Sequence, residues 1–400
     1  MKHNPYMIHT TTQEQIVAEM NKIGSDPSVM NVMASKAEML HIRLENVSLQ
    51  AALLLKQELR AFGGDCVVHQ KVHALDIAES SVLIVATREQ LFALLRVLCN
   101  QPFGLKELVG EIEELLHQQE TLKRRKELVC GPHRLPLGDR TLVMGILNMT
   151  PDSFSDGGCF NDIERALAHA KEMIDAGADI IDIGGESTRP GHVSVSAEEE
   201  LERVIPIITA LSRAYQIPIS VDTYKAEVAD RAIEAGAHII NDVWGAKYDK
   251  QMAHVAAKHD VPIILMHNRE NREYNDFFTE LVGDLRESVQ IAFDAGVKAE
   301  NIILDPGIGF VKSHEQNLET MRRLDDIVAL GYPVLLGTSR KSMIGRVLDL
   351  PPEERLEGTA ATVALGVAKG CHIMRIHDVK EMKRLCVMMD AMLRGGTTHG

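Results

Sequence analysis

The chain has 400 residues, 45% of them hydrophobic and 25% charged, with a formal net charge of −14. That is long enough for two ordinary domains and has the composition of a soluble globular protein. An acidic chain without a basic stripe excludes a nucleic-acid binder, and the absence of any run of about twenty apolar residues predicts no membrane span.

Met1 to Gln15 is polar and lacks an apolar core, so no secretory leader is expected. Cys66, Cys99, Cys130, Cys159, Cys371 and Cys386 include no Cys-x-x-Cys pair. That scatter points to free thiols in a reducing cytoplasm. Helical apolar spacing recurs over Ala51–Phe62, Glu89–Leu98 and Leu105–His117, and Val82–Val85 is a short apolar run. Gly63-Gly64 stops a helix ahead of a strand candidate, Cys66–His69. Residues 1–130 therefore read as a small α+β domain of unknown role. The charged stretch Thr121–Glu127, with the basic run Lys123 to Lys126, reads as its tether or a solvated helix face.

From Thr141 onward, short β-branched runs alternate with amphipathic helical patterns. The strand candidates are Leu142–Leu147, Asp179–Ile183, Ile217–Val221, His238–Ile240, Pro262–Met266, Asn301–Leu304, Pro333–Leu336 and His372–Ile376. Each is a nearly continuous apolar run, as parallel strands buried on both faces require. Helix ends carry glycine at Gly177, Gly236 and Gly370, and capping-box spacing marks Asn161 with Glu164 and Ser196 with Glu199. Eight βα units predict an α/β fold, a (β/α)8 TIM barrel over residues 131–400. The alternative, an open doubly wound sheet, would show fewer strands and a Gly-rich first turn.

Chemistry in such a barrel sits at the C-terminal strand ends. Those ends are Asn148, Gly184-Gly185, Asp222, Asn241-Asp242, His267, Asp305, Gly337-Thr338-Ser339 and His377, nearly all polar or glycine. One polar residue after a strand is usually a cap, but a whole rim of them predicts a functional mouth. Three long loops rise from that rim as lid candidates, Met149–Phe160, Gly184–Ser196 and Thr338–Glu354. Asp222, Asn241 and Asp305 suit a planar heterocycle with N–H donors. Arg189, Arg340, Lys341, Arg375 and His377 add positive charge on the same rim, suited to a phosphate. Gly337–Gly345 is not a P-loop, Gly307-Ile308-Gly309 lacks a third glycine, and no His pair has zinc spacing. Asp182 lies within strand two and reads as a structural hydrogen-bond acceptor; Asp242 reads as either a cap or a ligand, and His267 as a loop-orienting residue.

Along this stretch the sequence resembles the dihydropteroate synthases. The resemblance rests on Gly145 to Gly158 (GILNMTPDSFSDGG), Asp182 to Gly191 (DIGGESTRPG), Ser220 to Thr223, Ile240 to Asp242, Met266-His267, Leu304 to Phe310 (LDPGIGF), Ser339 to Ser342 and Arg375 to Asp378, all in order. It implies condensation of dihydropterin pyrophosphate with 4-aminobenzoate, giving dihydropteroate and diphosphate by an SN1-like ionisation beneath two closing loops. It implies a pterin pocket of Asp222, Asn241, Asp305 and Lys341 with Met266 and Phe310 as walls. A pyrophosphate site of Asn148, Arg375 and His377 follows, with Mg2+ at Asn148. Of these, Asp222, Asp305, Lys341, Arg375 and His377 are expected to be catalytic. Asp152 and Phe154 sit on one lid and Thr188, Arg189 and Pro190 on the other; Phe154, Pro190 and Ser342 border the aminobenzoate. A cytoplasmic homodimer is the expected state. The rival readings are a methyltetrahydrofolate:corrinoid methyltransferase, which would share the Asp/Asn/Asp clamp, and a non-catalytic pterin-binding protein. The Met-rich last helix (Met382, Met388, Met389, Met392) reads as barrel packing or a subunit interface.

Overall fold

The computed structural model describes residues 3–8, 13–149, 158–186 and 194–394, and it divides into two compact units, Met1–Leu116 and His117–Gly400. The division falls earlier than the 130/131 boundary expected from composition. The physical reason is a single long helix, Leu105–Arg124, that runs through the supposed linker. Leu, Glu, Gln, Lys and Arg dominate it, all good helix formers, and Lys123 and Arg124 face the free carbonyls of its last turn. Thr121–Glu127 is thus no tether: it is the end of this helix and the start of a strand.

In the first unit, helices α1 (Gln13–Ile23) and α2 (Pro27–Ala37) precede strand β1 (Met39–Ser48), helix α3 (Leu49–Ala61), strands β2 (Asp65–Val68) and β3 (Glu79–Thr87), helix α4 (Arg88–Leu98) and the start of α5 (Leu105–Arg124). The strands form an antiparallel sheet ordered β1-β3-β2. Ser80, Val82, Ile84 and Ala86 alternate inward along β3, the period-two pattern of a sheet with one buried face. Leu55, Leu59, Ile84, Leu91, Leu94 and Leu98 are fully buried between that face and the helices. Local caps fix the helix starts: Ser48 Oγ accepts from Ala51 N (3.3 Å), and Thr87 with Gln90 forms a capping box.

The second unit begins with a hairpin, β4 (Glu127–Cys130) and β5 (His133–Pro136). Eight parallel strands follow: β6 (Leu142–Asn148), β7 (Ile180–Gly184), β8 (Ile219–Asp222), β9 (Ile239–Asp242), β10 (Ile263–Met266), β11 (Ile302–Asp305), β12 (Leu335–Leu336) and β13 (Ile373–Ile376). Their order is β11-β10-β9-β8-β7-β6-β13-β12, and a bridge between Leu304 and Val334 joins the two ends. The sheet therefore closes into the expected barrel, and every predicted strand is present to within two residues. Leu128, Cys130 and Leu135 of the hairpin pack with Leu142, Met144, Ile180 and Ile373. They stopper the end of the barrel opposite the strand C-termini.

Helices α6 (Gly158–Asp175), α7 (Ala197–Ala214), α8 (Ala226–Glu234), α9 (Met252–His259), α10 (Phe277–Asp294), α11 (His314–Arg322), α12 (Leu324–Val328), α13 (Ser342–Leu348), α14 (Leu356–Ala368) and α15 (Val379–Arg394) surround it. Gly236 shows why the helix–Gly–strand unit recurs. Its φ is +116°, and a Cβ there would lie 2.7 Å from Ser212 Cβ. Ser196 caps α7 as expected, accepting from Glu199 N at 3.2 Å. Asn161 lies inside α6, which already starts at Gly158, and not at its N-terminal boundary. The third lid candidate, Thr338–Glu354, is mostly ordered structure, since α13 and a 3-10 turn at Pro352–Glu354 occupy it. Among the described residues, no helix is long and apolar enough to cross a membrane.

Candidate active site

Register alone assembles the mouth. Asn148 pairs with Gly184, Gly184 with Asp222, and Asp222 with Asn241, while Met266 pairs with Asp305. Side chains at one level of a closed barrel converge on its axis, so these residues meet although far apart in sequence. A side chain at Gly184 would stand between Asn148 and Asp222, its Cβ 3.8 Å from both Asn148 Oδ1 and Asp222 Oδ2. Glycine keeps that space open.

Arg375, on β13, crosses the mouth. Its Nε donates to Asp182 Oδ2 and its Nη2 to Asp222 Oδ2, both at 2.6 Å. Asn241 Nδ2 also donates to Asp182 Oδ2, at 3.1 Å. Asp182 therefore has the structural role expected of it, as the shared acceptor that orients Asn241 and Arg375. Three buried acceptors on β7 and β8 have no partner among the described residues: Asp182 Oδ1, Ser220 Oγ and Asp222 Oδ1. Leaving such an atom unsatisfied costs about 1–3 kcal/mol, which a ligand bearing N–H donors recovers.

Burial pushes the Asp222 carboxyl up to about 7, against the pull of Arg375, with Asp182 and Glu200 adding to the rise. Burial raises Asp305 as well, opposed by the amide of Gly307, which donates to its Oδ1 at 2.7 Å. The Asp222 and Asp182 carboxylates stabilise the Arg375 cation, which stays charged throughout.

The second wall comes from the loop after β11. Lys341 Nζ stands 4.4 Å above the Phe310 ring, and a Cβ on Gly309 would lie 3.1 Å from Lys341 Cδ. Gly309 thus lets the lysine lie flat across the loop. His377 is held by Ser339, whose Oγ lies 2.9 Å from Nδ1 and accepts from the His377 amide at 3.1 Å. Ser342 is exposed at the start of α13. Arg340 is taken up elsewhere: it pairs with Asp378, its Nε 3.0 Å from Oδ2, so its charge belongs to that ion pair. Asp152, Phe154, Thr188, Arg189 and Pro190 lie outside the described residues.

Asp242 caps no helix, since α9 starts only at Met252; its carboxylate holds the turn after β9, accepting from the amides of Trp244 (2.8 Å) and Ala246 (2.6 Å). Sequence reasoning missed Ser220, Lys312 and the buried group Glu186–Lys225–Glu200. Lys225 Nζ lies 2.6 Å from Glu200 Oε2 and also pairs with Glu186. Ser220 was legible as a polar residue inside an apolar strand; Glu186, Lys225 and Lys312 sit in loops past strand ends and Glu200 in the first turn of α7, where charged residues are unremarkable. The described residues contain no cluster of three His, Cys, Asp or Glu side chains able to hold a metal.

This barrel, with an Asp/Asn/Asp mouth crossed by an arginine, defines a class of enzyme that binds a flat, N–H-rich heterocycle. The family described as pterin binding enzyme matches residues 144–377, wholly within the second unit. The dihydropteroate synthase of Bacillus subtilis is 61% identical over 283 residues, 70% of this chain and 99% of that protein. A crystal structure of the Clostridium difficile dihydropteroate synthase in the presence of pteroic acid superposes with a TM-score of 0.64 at 53% identity, covering 65% of this chain and 99% of that one. The Xanthomonas albilineans dihydropteroate synthase with 4-aminobenzoic acid gives 0.64 at 40% identity, over 67% and 98% of the two chains. The chain belongs to the pterin-binding enzyme family, among its dihydropteroate synthases.

Proposed function

We propose that this chain condenses dihydropterin pyrophosphate with 4-aminobenzoate to give dihydropteroate and diphosphate. The observation that carries this reading is the set of unsatisfied buried acceptors beside Asn241 and Arg375, which suits the N–H edge of a pterin. Asp222, Asn241 and Asp305 hold that edge, with Met266, Phe310 and Lys341 as walls. In the reaction the methylene C–O bond breaks and its electron pair leaves with diphosphate. The resulting carbocation is delocalised over the dihydropterin, where the Asp222 and Asp305 carboxylates stabilise it. The neutral arylamine nitrogen then forms the new C–N bond and loses one N–H proton to solvent or to the departing diphosphate. Arg375 and His377, with Asn148, bind the diphosphate. The lids carrying Asp152, Phe154, Thr188, Arg189 and Pro190 exclude water from the cation and, with Ser342, border the aminobenzoate.

Asn148 offers one hard oxygen donor, and the described residues offer no acidic cage. That donor set fits Mg2+ that arrives with the diphosphate and keeps most of its waters. When bound, the ion supplies neutralisation of the leaving group's charge.

We further place the enzyme in the cytoplasm as a homodimer. Cys66, Cys99, Cys130, Cys371 and Cys386 are free thiols. Helix α14 bears one charged residue, Glu357, in thirteen and exposes Leu365, and α15, which contacts it, exposes Met388 and Met392, each 59% accessible. Met382 of α15 is buried against the barrel, so the Met-rich helix serves packing on one side and presents an apolar face on the other.

The test is incubation of the purified chain with both substrates, following dihydropteroate and diphosphate in equal amounts. Pterin binding without either product would instead support a non-catalytic binding protein, and methyl transfer from methyltetrahydrofolate the corrinoid reading.

A further inference from the structure

Behind the Asp305–Phe310 loop lies a buried lysine that the mechanism does not use. Lys312 is 5% exposed, and its ammonium reaches three acceptors: His267 Nδ1 at 2.8 Å, the Gly307 carbonyl at 2.9 Å and the Phe310 carbonyl at 3.3 Å. An ammonium has three protons, and here each has a place to go. Because Lys312 donates, His267 Nδ1 must accept, which puts the ring proton on Nε2. Nε2 then donates to Asp284 Oδ2, 3.0 Å away on α10. Asp284 is itself held by Arg269, whose Nε lies 2.9 Å from Oδ2. His267 is 1% exposed and its amide donates to the Asp305 carbonyl at 2.8 Å, so the relay is built into the ends of β10 and β11.

The loop it grips is also held at Gly309, whose amide donates to Asn317 Oδ1 at 2.6 Å, but its two ends at Gly307 and Phe310 are drawn together by the lysine. Gly307 has φ +65°, and a Cβ there would sit 2.2 Å from the His267 carbonyl and 3.3 Å from Lys312 Nζ. Its amide orients the Asp305 carboxylate, and its carbonyl is bound by Lys312. Three residues later the Phe310 carbonyl is bound by the same ammonium, which sets the ring beneath Lys341. One buried cation therefore fixes both the acid and the aromatic wall of the proposed heterocycle pocket. Burial drives the ammonium down to about 7, while Asp305 and Asp284 favour its charged form. Three filled donor positions add to their effect.

We infer that Lys312, oriented through His267 by Asp284, is a positioning residue that shapes the dihydropterin pocket by fixing Asp305 and Phe310 without touching substrate. This deepens the proposed function and rests on its assignment of the pterin side of the mouth. A pocket-shaping role separates the two substrates, whereas a merely structural role lowers all parameters through lost folded enzyme. Lys312→Met is expected to raise KM for dihydropterin pyrophosphate about ten-fold or more while KM for 4-aminobenzoate changes less than about three-fold. A folded Lys312→Met enzyme with unchanged dihydropterin KM, or with both KM values raised alike, would overturn the inference. Two His267 variants decide it if Lys312→Met does not fold. Asn places an amide oxygen near the position of Nδ1 and keeps an acceptor for Lys312, whereas Leu does not, so His267→Asn is expected to retain tighter dihydropterin KM than His267→Leu. Equal values in the two would overturn it. Calorimetric binding of pteroic acid to wild type and variants is read in parallel. If wild type binds but does not turn over, the proposed reaction fails, and the loss of binding in Lys312→Met still tests the positioning role on its own.

Discussion

Arg375 and Asp222 form one ion pair, Nη2 to Oδ2 at 2.6 Å, although they lie on strands β13 and β8 and are separated by 153 positions in the chain. The sequence reading assigned them to separate subsites, one for a pterin and the other for a diphosphate. In the structure the guanidinium bridges Asp222 and Asp182, so the residue proposed to meet the leaving group also tunes the carboxylate proposed to meet the ring. The two fields that the proposed ionisation of the C–O bond calls for are therefore adjacent in this structure.

Asp222→Ala is expected to lower kcat/KM by about a hundred-fold, the usual scale for removing one charge-stabilising group. Steady-state kinetics on the dihydropterin substrate measure it. Near-normal turnover would remove Asp222 from the mechanism.

The raised pKa of Asp222 gives a pH signature. Its ionised form, the one that accepts from a pterin, prevails only above about 7. On lowering the pH below that value, kcat/KM should fall about ten-fold per unit, since this parameter reports groups of the free enzyme. Asp222→Asn should abolish this acid limb. The sign for stability is opposite. The folded protein holds this proton more tightly than the unfolded chain, whose value is near 3.8, so the stabilisation is full below 3.8 and is lost as pH rises to about 7. Chemical denaturation across pH 4–8, wild type against Asp222→Asn, reads that slope.

Arg375→Met should destabilise the barrel as well as inactivate it. It leaves Asp182 and Asp222 facing each other without their cation, and removing one partner of a buried ion pair typically costs about 3–5 kcal/mol. Arg375→Lys should fold better but remain impaired, because an ammonium cannot span both carboxylates as the planar fork does. Urea unfolding alongside turnover separates the two effects.

Residues 117–400 expressed alone should retain turnover within about three-fold of the full chain, because each unit has its own hydrophobic core. The buried clusters of the second unit contain no residue before Leu128, and that of the first contains none after Leu116. A collapse of activity in the shortened chain would assign the first unit a part in catalysis.

Leu365→Glu with Met388→Glu should convert a dimer into monomers in sedimentation analysis, by placing charge on the apolar face of α14 and α15. Unchanged mass would move the interface elsewhere.

The barrel was legible in the sequence because parallel strands buried on both faces leave unbroken apolar runs, and their polar ends stand out against them. In the first unit three elements were missed: β1, which alternates Leu40, Ile42 and Leu44 with His41, Arg43 and Glu45 and so forms no continuous apolar run, and the 11-residue helices α1 and α2. Local periodicity and the ordered motifs thus determined the fold of the second unit and the set of strand ends that line its mouth. Tertiary structure decided the partnerships. Closure of the sheet through Leu304 and Val334 set the levels at which strands face one another. That register put Arg375 between two aspartates and brought Lys312 under the Asp305 loop against His267. No spacing along the chain encodes those pairings, because they depend on which side chains a closed barrel turns toward the same point.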